Sequence, residues 1–142
     1  MKREVLITID GDIGRETAEG TYDYRSETHY LSYVLKDTEN EGHMVHTLLT
    51  ISRERMSMVR KTVHEESGRT VARLKMEVPR SGEGSAIYHT PYGDMELISR
   101  GKTFESPAEE LADGLIAEFH YELYGAGDSL PAVINRLKIM VK

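Results

Sequence analysis

The sequence predicts one all-β domain over residues 1–142, an up-and-down antiparallel β-barrel of about ten strands. Three observations predict it. Apolar and polar residues alternate with a period of two, turn residues interrupt the alternation roughly every ten residues, and no crossover-length segment separates the runs. Alternation of this kind puts one face of each strand on a core and the other in water. A long meander leaves two exposed edges, and closure into a barrel removes both. A sandwich is the other architecture the pattern allows.

The elements follow in order. Val5, Ile7 and Ile9 open the pattern, and Asp10, Gly11, Asp12 and Gly14 break it. Tyr22 and Tyr24 alternate with Asp23 and Arg25 over 21–26. Leu31, Tyr33 and Leu35 share a phase ahead of a polar loop at 38–42. Val45, Leu49 and Ile51 group against His46 and Thr50, and residues 55–65 form the next run before a turn at Glu66, Ser67 and Gly68. The cleanest alternation covers 70–78, with Ala72, Leu74, Met76 and Val78 on one face and Arg73, Lys75 and Glu77 on the other. That spacing predicts Leu74 and Met76 in the core and Arg73 and Lys75 in water.

Residues 79–85 read as a loop, holding one Pro, two Gly and two Ser. Ile87 leads into Pro91-Tyr92-Gly93-Asp94, where Pro sets φ and Gly accepts a positive one. Met95 and Leu97 open the next strand. Leu115, Ala117, Phe119, Tyr121 and Leu123 then alternate with Glu118, His120 and Glu122, and Val133, Leu137, Ile139 and Val141 close the pattern. Segment 106–114 carries helix-start signals: Ser106 as cap, Pro107 at the first helical position and Glu109 three residues after the cap. Only about two turns fit before Gly114, so the segment is a brief helix or an irregular connection.

Composition narrows the function. A chain that is 39% apolar and 30% charged belongs to the folded, soluble class. No apolar run approaches the ~18–20 residues that cross a bilayer. Lys2 and Arg3 are basic, but Glu4, Asp10, Asp12 and Glu16 leave no apolar stretch of a secretory leader. The expected location is the cytoplasm, away from membranes. The absence of cysteine excludes disulfides, thiol catalysis and cysteine-bound metals. A net charge of −6 argues against nucleic-acid partners, which favour a basic face.

Catalytic constellations are missing. His43 and His46 are three apart, while His64, His89 and His120 fall on separate strands, and no HExxH or calcium-loop spacing occurs. The histidines read as surface or structural residues, and Asp10-Gly11-Asp12 as a turn. There is no G-x-S-x-G elbow, and no helix follows Gly82 and Gly84 to make a phosphate cradle. No metal, no cofactor and no enzymatic activity are expected. Eight tyrosines lie in or beside strands. They suit a half-buried sheet surface, and some are placed to line a cavity.

Residues 55–65 hold the most informative irregularity. Met56 and Met58 share a phase with Arg60, Thr62 and His64, whereas Val59 and Val63 share the other. Either a bulge near Val59 and Arg60 swaps the faces, or Arg60 points inward. An inward Arg60 calls for a protein carboxylate or an anionic ligand, because an unpaired buried charge is too costly to keep.

Several stretches together resemble the YwiB-like family of small bacterial proteins of unknown function. They are Tyr30-Leu31-Ser32-Tyr33, Tyr88 with the 91–97 stretch Pro-Tyr-Gly-Asp-Met-Glu-Leu, the strand around Arg60, and Asn135-Arg136-Leu137-Lys138-Ile139. The resemblance covers nearly the whole chain. It implies a barrel similar to the lipocalin (calycin) architecture and implies no activity.

Small barrels are filled by their own side chains or hold one small ligand. The first expectation is therefore a protein that binds a partly apolar, anionic small molecule through Arg60, Met58, Tyr33, Phe119 and Tyr121. The alternative is an interaction or assembly module with a filled barrel. A monomer or a homodimer fits either.

Overall fold

The computed structural model describes residues 2–11, 14–38, 40–125 and 127–142. Ten strands follow one another: β1 (Arg3–Gly11), β2 (Gly14–Arg25), β3 (Thr28–Lys36), β4 (His43–Ile51), β5 (Arg55–His64), β6 (Thr70–Pro79), β7 (Glu83–Thr90), β8 (Gly93–Glu105), β9 (Gly114–Gly125) and β10 (Val133–Val141). Each pairs antiparallel with its chain neighbours, and β1 pairs with β10 to close the barrel. No helix occurs among the described residues.

The period-two pattern determines which side chains fill the interior. Val5, Ile7 and Ile9 of β1 are buried, while Leu6 between them is 40% exposed. Leu31, Leu49, Ile51, Met56, Ile116, Phe119 and Ile139 have no accessible surface at all. A side chain with no accessible surface has no water-sized void beside it, so this part of the barrel is packed. On β6, Met76 and Val78 are buried and Arg73 and Lys75 exposed, as the alternation predicts. Leu74 departs from it and is only partly buried, because β6 reaches the end of the packed core there.

Two elements run further than the pattern suggested. β2 begins at Gly14 and β8 continues to Glu105, through polar residues that propensity alone assigns to loops. Pairing with β1 and β9 holds them extended. The supposed loop at 79–85 is likewise shorter, since Pro79 ends β6 and Glu83 starts β7. Gly84 belongs to the strand for a steric reason. A Cβ there would lie 2.7 Å from Ser99 Oγ and 2.8 Å from Pro79 Cδ. The missing side chain lets the Ser99 hydroxyl reach past β7 and donate to the Glu77 carbonyl.

Candidate functional site

The ladder around Arg60 is regular. β4 and β5 stay in register from Thr47 opposite Arg60 to Ile51 opposite Met56. The break in the β5–β6 ladder comes between Thr62 and Val63, beyond Arg60. Arg60 therefore shares the inner face with Met56 and Met58: of the two alternatives the inward arginine holds, and the irregularity of the ladder lies further along.

A row of directly paired residues crosses the wall here: Gly20 of β2, Tyr33 of β3, Thr47 of β4, Arg60 of β5 and Leu74 of β6. A Cβ on Gly20 would come within 3.0 Å of Tyr33 Cβ, so the glycine makes room for the tyrosine. Tyr33 is 5% exposed and Thr47 3%, whereas Arg60 is half-buried. Burial pushes the Tyr33 phenol above its ordinary value, and the Arg60 charge and hydrogen bonding to Thr47 and Arg60 work against that shift. Glu16, exposed on the inner phase of β2, adds to the rise. Among the described residues, Arg60 Nε is the buried side-chain polar atom without a hydrogen-bond partner. Buried donors in folded proteins are nearly always satisfied, so this one marks an incomplete constellation.

The structure brings together Arg60, Met58 and Tyr33 and adds Thr47, which the sequence reading missed. Thr47 lies in the Leu49 and Ile51 phase, and only the strand register reveals what it faces. Phe119 and Tyr121 stand apart on β9, four strands from β5 around the ring. Phe119 packs edge-on against Phe104 with ring centres 4.7 Å apart. The Tyr121 hydroxyl accepts a hydrogen bond from Asn135 Nδ2 at 2.8 Å. Met58 and Tyr121 are each 3% exposed, and Arg60 is the half-buried member of the constellation.

A second polar cluster closes the barrel where β1, β2 and β3 meet segment 106–113. That segment is the irregular connection of the two expected alternatives. The His29 ring, 1% exposed, donates from Nε2 to the Pro107 carbonyl at 2.6 Å. Its Nδ1 takes the Tyr22 hydroxyl at 2.8 Å, and that hydroxyl oxygen accepts the Leu111 amide at 3.3 Å. Arg3 lies over the Tyr22 ring, 5.2 Å from its centre, and donates to the carbonyls of Leu111 and Ala112. Ser106 Oγ donates to the Ile116 carbonyl. A segment whose carbonyls and amide are bonded to the barrel cannot also form the i to i−4 bonds of a helix.

Among the described residues, no three His, Asp or Glu side chains converge as metal ligands. His46 points outward, and the pair that meets is His43 with His64, edge-to-face at 5.3 Å. Asp10 bonds Arg15 at 2.9 Å; Asp12 of the same expected turn lies outside the described residues. Among the described residues, no helix is long and apolar enough to cross a membrane.

Closed ten-stranded antiparallel barrels are a class defined by architecture alone. Comparison narrows it: residues 7–139 match the model of a domain of unknown function, DUF1934, and the chain belongs to that family. The crystal structure of the ywiB protein from Bacillus subtilis is similar, with a TM-score of 0.74 at 15% identity, covering 99% of this chain and 92% of that one. At that identity the likeness establishes the fold. A search of curated proteins finds no match.

Proposed function

We propose that this barrel is a non-catalytic binding protein of the bacterial cytoplasm, used in the manner of lipocalin-type carriers, that holds a small, partly apolar molecule by its anionic group. The observation that carries the reading is the buried, unpartnered Nε of Arg60 beside the hydroxyls of Tyr33 and Thr47. A guanidinium holds a carboxylate through two parallel hydrogen bonds, and Nε is one of the donors used. Met58 supplies a flexible apolar surface next to it. The packed middle of the barrel confines the ligand to this end, so a short molecule fits better than a long-chain lipid.

Arg60→Met keeps bulk and removes the charge. Isothermal titration with benzoate, indole acetate and octanoate should show binding to the natural protein and about tenfold weaker binding to the variant, the scale of one charge-assisted pair. No binding of any probe by the natural protein, with unchanged stability of the variant, overturns the reading. A second reading, protein docking through a filled barrel, draws on the outer face of β3 and β4, where Val34 is 39% and Leu48 46% exposed. Native mass spectrometry separates the two by showing a carried small molecule or a second protein chain.

A further inference from the structure

We propose that segment 106–113 is a strap latched over one end of the barrel by the neutral ring of His29, and that acidification releases it. The argument rests on which atoms can donate. The Pro107 carbonyl can only accept, so His29 Nε2 carries a hydrogen. In the neutral ring Nδ1 is then bare and accepts the Tyr22 hydroxyl hydrogen. The Tyr22 oxygen keeps a lone pair for the Leu111 amide. Each group is satisfied once, in one direction, and the chain of bonds runs from strap to barrel and back to strap.

Protonation breaks that order. A hydrogen on Nδ1 would meet the Tyr22 hydroxyl hydrogen head-on. The hydroxyl must then turn away, into surroundings where Tyr22 has no accessible surface. The basic group of this cluster is Arg3, whose guanidinium lies over the Tyr22 ring. The Tyr24 ring of β2 packs on His29, and the acidic groups of this end act on the two tyrosines beside it: Glu27 of the β2–β3 turn and Glu109 of the strap on Tyr24, and Glu110 of the strap on Tyr22. The residue paired with His29 on β4 is the apolar Ile51. Burial holds the imidazole below its ordinary range, and the hydrogen bond to Pro107 offsets only part of this. With the closed-state value lowered, the open strap binds more protons. The latch is complete above the ordinary imidazole value, near pH 6.5, and weakens as pH falls below it.

What opens is the barrel end remote from Arg60. His29 and Met56 lie level through Ile51, and Arg60 is four residues further along β5. Release would free the Arg3 guanidinium from the Leu111 and Ala112 carbonyls and uncover Tyr22. This inference is independent of the Arg60 reading.

Amide hydrogen exchange on the full chain from pH 8 to pH 5, corrected for its intrinsic pH dependence, tests the latch. The opening constant of the strap amides, Leu111 above all, should rise by up to tenfold per pH unit below about 6.5. Amides of β4 and β5 should not follow. His29→Gln keeps a donor and an acceptor without titrating, and its strap opening should be flat with pH. Nitrogen-15 NMR of the natural protein provides the second measurement, and it should find the Nε2–H tautomer at pH 8, with ring protonation tracking strap exchange. A pH-independent strap, or a strap that opens while His29 stays neutral, overturns the proposal.

Discussion

The Nδ1 of His29 and the hydroxyl of Tyr22 lie 2.8 Å apart, seven residues apart in the chain, in a place solvent barely reaches. The turn between their strands forces the meeting. Ser26 and Glu27 both take left-handed backbone, with φ of 51° and 59°. That geometry matches the twist of a two-residue hairpin, but non-glycine residues pay about 1 kcal/mol each for it. Holding the turn against that strain is consistent with the buried polar pair beside it.

Tyr22→Phe should therefore destabilise beyond what loss of one hydroxyl suggests. It leaves His29 Nδ1 and the Leu111 amide without their shared partner. The expected loss is about 1–3 kcal/mol in urea titration at pH 7.5. A loss below about 0.5 kcal/mol would show that water replaces the hydroxyl freely.

Two leucines on the inner phase should behave differently. Leu49 has no accessible surface, and Leu49→Ala should cost about 2–5 kcal/mol through the cavity it leaves. Leu74, half-buried near the core's end, should cost less than half as much. Equal losses in a denaturant series would place Leu74 in the packed core and contradict the structure.

Gly84→Ala is the smallest change with a large expected effect. The added methyl meets the Glu77 backbone and Pro79, neither of which can swing aside, and displaces the Ser99 hydroxyl from the Glu77 carbonyl. About 1–3 kcal/mol should be lost, the range for overpacking. Gly82→Ala in the adjoining loop, with positive φ but nothing within 4 Å, is the comparison. It should lose about 1–2 kcal/mol from backbone strain alone and leave the β6–β7 amides protected.

Part of the candidate site was legible before the fold. Arg60 stood out because a charge in phase with Met56 and Met58 breaks the apolar pattern, and it does face inward. Phe119 and Tyr121 share its inward phase, but the inward faces of a ten-stranded ring include opposite walls. Thr47 went unnoticed because a threonine in an apolar phase is ordinary in strands. His29 was hidden in the same way: it shares the phase of Leu31 and Tyr33, and its value comes from residue 107.

The sequence by itself determined an antiparallel meander of about ten strands and their inner and outer faces, because side-chain alternation along a strand is a local property with a fixed period. Only the tertiary structure decided that β1 meets β10, that Gly84 lets Ser99 reach Glu77, that Tyr33 and Thr47 flank Arg60, and that the helix signals of 106–113 yield to a strap tied by Arg3, Tyr22 and His29. Those outcomes depend on register and closure, which bring residues as far apart in the chain as Leu6 and Lys142 into contact, and no local pattern carries that information.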